Sequence, residues 1–294
     1  MKKWIFTLLL ALFLALVPQS GFAENACSEV RLMQGEVAVA ESPADGSDLI
    51  VVTLNTARET DINEIVRDIE EAKRIRQADV WMLQEFAQPK DRAEAGLLEL
   101  ARRLNMQFVY APSDVMEGGQ LLSGLAIFSR YKLSDPEVLP LKRFSLKINT
   151  RCRIALAATV ETPMGLVRIV NVHLDTRINK KQRLEQIRPI LEEASQHSIP
   201  KLIAGDFNTA NFRWIGNLWP LPFIENQSDA VRRLLESNQF STPFANGPST
   251  FKSSPIPLKL DWIFLNGFKT ISWGLENVDF SDHFALWVRL SKGS

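Results

Sequence analysis

Short apolar runs that each stop at a polar, chemistry-bearing residue recur along this chain, and they restrict its fold more than any other feature. Residues 49–54 lead to Asn55, residues 80–83 to Gln84-Glu85, residues 166–172 to His173, and residues 201–204 to Gly205-Asp206-Phe207-Asn208. Apolar runs this short, bounded by polar or turn residues, read as buried strands. Helical spacing fills the gaps between them. Residues 61–78 place Ile62, Ile65, Val66, Ile69, Ala72 and Ile75 on one face, and residues 93–104 form a second such segment. Residues 180–196 form a third, where Pro189 predicts a kink or a new segment. Residues 108–111, 125–128, 260–265 and 284–290 complete the expected strands, and Thr162-Pro163-Met164-Gly165 between two runs predicts a hairpin. Hairpins mixed with helical crossovers indicate an α/β layered fold rather than a purely parallel sheet.

The first residues read as separate from that fold. Lys2 and Lys3 precede an uncharged, mostly apolar run over residues 4–17, and Gly21-Phe22-Ala23 has the small-x-small pattern of a signal-peptidase site. Residues 1–23 are therefore expected to be a cleaved signal peptide, with the mature protein periplasmic or secreted. Residues 24–294 show no linker, repeat or low-complexity tract, so one domain is expected. The chain has 34 basic and 34 acidic side chains, and loss of two signal lysines leaves 32 − 34 = −2. That balance excludes a strongly basic nucleic-acid binder, so a phosphate-rich substrate needs a local patch or a metal. Cys27 and Cys152 are the only cysteines. In an oxidising compartment they are expected to form one disulfide, with two free thiols as the alternative. Two cysteines and three histidines do not make a zinc cluster.

The strand-end residues carry the chemistry. Ligands bind at strand ends in layered α/β proteins, and the rigid Asp206/Asn208 pair suits alignment of a water against a phosphate. Asp261 lies inside Leu260-Asp261-Trp262-Ile263-Phe264, where burial without a partner would be costly. His283, just before the last strand, can be that partner and be oriented by it. Glu85 and its acidic neighbours offer hard oxygens suited to magnesium or manganese. Asn55, Asn208 and His173 can hold phosphate oxygens, and His283 or Asp206 can activate a water. Singly, each has an ordinary explanation: a strand terminator at Asn55, an exposed acid at Glu85, a core histidine at His173, a turn residue at Asp282. As a set they are more specific, because every such explanation would have to hold independently.

The blocks around these residues resemble the endonuclease/exonuclease/phosphatase superfamily. They are Thr53-Leu54-Asn55, Leu83-Gln84-Glu85, residues 124–130, Asn171-Val172-His173-Leu174, Gly205-Asp206-Phe207-Asn208, residues 260–264 and Ser281-Asp282-His283, spanning roughly residues 48–290 in the family's order. The resemblance implies a deoxyribonuclease I-like four-layer α/β/β/α sandwich, with two mixed sheets packed face to face. It implies metal-dependent phosphoester hydrolysis with Mg2+ or Mn2+. By the same resemblance, Glu85, Asn55 and Asp282 lie at the metal, His173 meets the scissile phosphate, and Asp206 and Asn208 handle nucleophile and phosphate. Asp261 pairs with His283, and whether His283 or Asp206 is the base stays open. One departure is the lack of an aromatic residue just before Asn55.

The substrate is less legible. Lys142, Arg143, Lys147, Arg151 and Arg153 make a basic stretch before a strand, more readily a solvated face than a phosphate-facing rim. Residues 212–223, with Phe212, Trp214, Trp219, Pro220, Pro222 and Phe223, are expected to be a loop packed on the core. The sharper alternative is an apolar lip making weak contact with a membrane, or stacking on bases. The expected function is an exported Mg-dependent phosphodiesterase, foremost a nuclease acting on nucleic acid, and a monomer. A phospholipid phosphodiesterase of sphingomyelinase type is the alternative, and a non-catalytic binding protein a weaker one.

Overall fold

The structure, a computed structural model, describes residues 31–36, 48–146 and 150–293. The expected signal peptide (1–23), Cys27 and Lys147 lie outside the described residues. In chain order the elements begin β1 (Met33–Gly35), β2 (Asp48–Asn55), α1 (Ile62–Glu71), β3 (Val80–Pro89), α2 (Ala93–Leu104) and β4 (Gln107–Met116). They continue with β5 (Leu121–Ser129), β6 (Leu133–Pro140), β7 (Ile154–Thr162), β8 (Gly165–His173), α3 (Lys180–Ser195) and β9 (Lys201–Asp206). The last are β10 (Phe212–Ile215), β11 (Trp219–Pro222), α4 (Gln227–Ser237), β12 (Asp261–Asn266), β13 (Phe268–Glu276) and β14 (Ala285–Lys292).

Two mixed sheets form the centre, as the resemblance implies. One has seven strands in the order β1-β4-β5-β3-β2-β14-β13, and the other has five, β12-β9-β8-β7-β6. Among the described residues, only β2 with β3, and β8 with β9, run parallel. The two-residue period of each strand divides the core into layers. In β2 and β3, Leu49, Val51, Val80 and Met82 enter the cluster shared with Val170, Val172, Ile203 and Ile263 of the second sheet. Val52, Leu54, Trp81 and Leu83 point the other way, onto Ile65, Val66 and Ile69 of α1 and Leu97 and Leu100 of α2. Helices α3 and α4 cover the opposite side through Ile187, Ile190, Val231 and Leu235. Among the described residues no helix is long and apolar enough to cross a membrane.

Local signals explain the helix ends. Asp61 caps α1 by accepting from the Asn63 N–H at 2.8 Å, and Asn179 with Gln182 forms a capping box on α3. Two expectations are corrected and one is narrowed. Helix α1 stops at Glu71 rather than running to residue 78. Helix α3 continues through Pro189 without starting a second segment. Buried Ile187 and Ile190 on either side anchor the turn and offset the missing N–H. Residues 212–223 are not a packed loop: β10 and β11 form a separate antiparallel hairpin. On and after it, Trp219 is 69% and Phe223 76% exposed.

Candidate active site

Strand register assembles the site. His173 ends β8 and pairs with Asp206 at the end of the parallel β9, and Asp206 pairs in turn with Asp261 at the start of the antiparallel β12. Three neighbouring strands thus present His173, Asp206 and Asp261 side by side at one rim of the second sheet. The first sheet meets that rim with Asn55 at the end of β2 and Glu85 in β3. Gly205 makes the close pairing of β9 with β8 possible. Its φ is 142°, and a Cβ there would sit 2.0 Å from the Val172 carbonyl oxygen.

Glu85 corrects one detail of the sequence reading. Strand β3 does not end there but continues to Pro89, with a bulge between Leu83 and Phe86. Glu85 takes a left-handed φ of 50° in that bulge, which turns its carboxylate out of the strand's alternation. Gln84 fixes the bulge from inside, donating from Nε2 to Thr53 Oγ1 at 2.9 Å, Met82 O at 2.8 Å and Asn171 Oδ1 at 2.7 Å. Asn171 reaches across from the second sheet and donates to Leu83 O at 2.8 Å and Ala126 O at 3.0 Å. These buried amides lock the two sheets together directly behind the site.

The side chains form one connected set. Asn55 Nδ2 donates to Asp206 Oδ2 at 3.0 Å, and Asn208 Nδ2 donates to the same oxygen at 3.2 Å. The Asn208 N–H donates to Asp206 Oδ1 at 2.8 Å. His173 Nε2 lies 3.6 Å from Asp206 Oδ2 and 3.8 Å from Glu85 Oε1. His283 Nδ1 meets Asp261 Oδ2 at 2.8 Å, the pairing expected from the sequence. Ser281 couples this pair to β2, donating from its hydroxyl to Asn55 O at 2.6 Å and accepting from the His283 N–H at 3.0 Å. Asp282 stands further out, its side chain 41% exposed and its Oδ1 3.9 Å from His283 Nε2.

Electrostatics differ sharply between the two histidines. Burial, together with the charge of Arg153, holds His173 well below its ordinary pKa, so it is neutral. Arg153 Nη1 is 3.1 Å and 3.2 Å from its two ring nitrogens. Burial also opposes charge on His283, but the carboxylates of Asp261, Asp206 and Asp282 outweigh it and push the imidazole up to about 9. Burial, reinforced by the neighbouring Asp261 charge, raises Asp206 far above the usual carboxylate range.

The donor set fits a divalent ion. Ligand atoms of Asp206, Asp261 and His283 lie within 4.8 Å of one another, all buried. Asp261 Oδ1 is buried without a hydrogen-bond partner, an uncommon state for a carboxylate oxygen that a cation would relieve. Glu85 offers a further hard oxygen beside Asn55. Its Oε2 is met at 2.9 Å by Arg58 Nε.

Arg58 was not legible as a site residue, because its placement depends on a left-handed backbone just after β2 rather than on a motif. The basic stretch divides. Lys142 pairs with exposed surface at Glu185, whereas Arg151 and Arg153 line the cleft beside Glu85 and His173, contrary to the solvated-face expectation. Cys152, between those arginines, is disulfide-bonded; Cys27 lies outside the described residues.

The model of the "Endonuclease/Exonuclease/phosphatase family" matches residues 52–283. No characterised protein sequence gives a significant match. Among solved structures, an endonuclease/exonuclease/phosphatase from Beutenbergia cavernae is 20% identical, covering 84% of this chain and 72% of that one, with a TM-score of 0.64. The human nocturnin catalytic domain with bound sulfate is 20% identical over 90% of this chain and 97% of that one, with a TM-score of 0.61. A mannosyl-6-phosphatase from Bacteroides thetaiotaomicron is 17% identical over 82% and 99%, with a TM-score of 0.55. At such identities these similarities speak to the fold.

Proposed function

The chain belongs to the endonuclease/exonuclease/phosphatase family of divalent-metal-dependent phosphoesterases, and from that premise we propose that it is an exported phosphodiesterase acting on nucleic acid. The observation that carries the catalytic part is the register pairing His173–Asp206–Asp261, with His283 on Asp261. The proposal of export rests on the signal-like pattern of residues 1–23.

In the proposed reaction, Asp261 occupies Nδ1 of His283 and leaves Nε2 as the atom that exchanges a proton with the reacting oxygens. Asp206 is held by two amides and a backbone N–H, so its carboxylate faces the site in one orientation. Neutral His173 supplies a hydrogen bond to a non-bridging phosphate oxygen without adding charge of its own, while the Asn208 amide, donating to Leu174 O at 2.9 Å and to Asp206, holds the nucleophile-side carboxylate. Glu85 and Asn55, with the oxygens of Asp206 and Asp261, would hold the metal, and Mg2+ or Mn2+ suits such donors. When bound, the ion offsets charge that develops on the phosphate oxygens.

A panel of plasmid DNA, RNA, sphingomyelin, a phosphoinositide and bis(p-nitrophenyl) phosphate, with magnesium and with chelator, tests this reading. Chelator-sensitive hydrolysis of nucleic acid and of the generic diester is expected. No hydrolysis of any ester, together with no metal binding, would favour a binding protein that keeps the fold.

One observation favours a second reading, the phospholipid phosphodiesterase. The β10–β11 hairpin and the residues after it expose Ile215, Trp219, Leu221, Phe223 and Ile224. It begins four residues beyond Asn208, and Asn179, which follows β8, ties it to the rim by accepting from the Trp214 N–H at 2.6 Å. An apolar arm beside the site suits weak contact with a lipid surface. Preferential hydrolysis of sphingomyelin in the panel would establish that reading over the first.

A further inference from the structure

The Asp261–His283 pair is assembled from two sheets. Asp261 opens β12, an edge strand of the second sheet, and His283 stands two residues before β14 of the first. Their 2.8 Å contact therefore spans the two rims, and a shift of one sheet against the other would open it. The connection from α4 to β12, residues 238–260, touches both sides of that junction at Thr250.

Thr250 is buried, and its hydroxyl oxygen accepts from the N–H of Leu260 at 2.9 Å and from the N–H of Asp261 at 3.1 Å. Its carbonyl accepts from the Phe284 N–H at 2.8 Å, and its own N–H donates to Leu258 O at 2.9 Å. The next residue, Phe251, forms β-bridges to Leu258 and to His283, and its ring meets the imidazole edge-on, with centroids 5.0 Å apart. The Lys252 N–H donates to Asp282 O at 2.8 Å. Three consecutive residues thus make a short strap bonded on one side to the backbone around Asp261 and on the other to the backbone around His283. A buried N–H without an acceptor is costly, and a hydroxyl oxygen with two lone pairs takes both of these at once.

We propose that Thr250 is a positioning residue for the Asp261–His283 pair: its hydroxyl and carbonyl hold the two rims at the separation in which the carboxylate orients the imidazole. The inference rests on the reading of His283 as the group that exchanges a proton with the reacting oxygens, and deepens it. The hydrogen bonds of Thr250 go to backbone groups, so it acts through the two residues it places. Misplacing a catalytic group by about 1 Å costs about 10²-fold in rate. A pair that is loosened rather than broken should cost about tenfold.

Two measurements on the whole protein test this, each with Thr250→Val, which keeps the shape and removes the acceptor, and Thr250→Ser, which keeps the acceptor. The first is turnover of bis(p-nitrophenyl) phosphate in magnesium, at a temperature where every variant is folded. Thr250→Val should lower kcat about tenfold with KM nearly unchanged, and Thr250→Ser should restore most of it. In a His283→Ala background Thr250→Val should cost nothing further, whereas a role in folding alone would lower both backgrounds by the same factor. The second is the proton NMR signal of the His283 Nδ1–H bonded to Asp261, taken in metal-free protein and identified by its absence in His283→Ala. It should shift or broaden in Thr250→Val and return in Thr250→Ser. Should Thr250→Val fail to fold, Thr250→Ala carries both measurements. An unmoved signal, or the same fractional loss of kcat with and without His283, overturns the proposal. No turnover by wild type, or equal turnover by wild type and His283→Ala, would instead overturn the catalytic reading, and a displaced signal would still establish the positioning.

Discussion

At the scale of single residues, the site depends on a few positions whose geometry admits no substitute. Gly205 is one. Alanine there would press a Cβ against the β8 backbone at a φ that L side chains avoid. Gly205→Ala should therefore cost about 3 kcal/mol or more in unfolding free energy and disturb the His173–Asp206 pairing. Denaturant titration measures the cost, and a loss under about 1 kcal/mol would contradict the close approach. His283 supports a prediction in pH. In the metal-free protein its pKa is raised from 6.5 to about 9, so the stabilisation it contributes is complete below about 6.5 and disappears as pH rises through about 9. Asp206, raised from 3.8 to about 7, acts in the same direction but over a lower range, between those two values. The metal-free protein should lose on the order of 3 kcal/mol of stability across that window. Melting temperatures in chelator between pH 6 and 9.5 give the test; a flat profile would contradict it. Asp261 and Asp206 were legible in sequence because a carboxylate in or after an apolar run demands a partner. Arg58 and Gln84 were not, because their roles come from a left-handed turn and a bulge that no residue pattern announces.

At the scale of elements, packing overrides local preference. Pro189 sits inside α3, yet the helix continues because Ile187 and Ile190 are both fully buried on the second sheet. Restoring the missing N–H with Pro189→Ala should raise unfolding free energy by about 1–2 kcal/mol, the helix-interior penalty less the entropy that proline removes from the unfolded chain. A lower melting temperature would show that the proline fits its turn better than alanine. The β10–β11 hairpin went unread in the sequence because Pro220 and Pro222 argue against a strand. A two-stranded ribbon outside the main sheets tolerates them, since one edge has no ladder to complete. If its apolar face meets lipid, Trp219→Ala/Phe223→Ala should reduce sedimentation with liposomes several-fold relative to wild type. Equal partitioning would remove the membrane contact. Strand β13 escaped detection for a related reason: it is an edge strand, half-buried along its length, and lacks the continuous apolar run that marked the central strands.

At the scale of the whole molecule, the two sheets are the means of building the site. Glu85 and Asn55 come from one sheet, and His173, Asp206 and Asp261 from the other. Gln84 and Asn171 bind the two sheets together behind them, and the His283–Asp261 pair joins the two rims. A layered α/β fold was legible because runs such as 49–52 and 202–204 are apolar, as strands buried on both faces must be, whereas the four layers followed from the resemblance. The meeting of the two rims followed from the resemblance rather than from periodicity. We propose that His283, oriented by Asp261, serves a metal-dependent phosphodiester cleavage. Its most direct test is the turnover of bis(p-nitrophenyl) phosphate by wild type and His283→Ala in magnesium. Hydrolysis abolished by chelator is expected, with kcat about 10²–10⁴-fold lower in the variant, compared at a temperature where both proteins are folded. Equal turnover by the two proteins would contradict it.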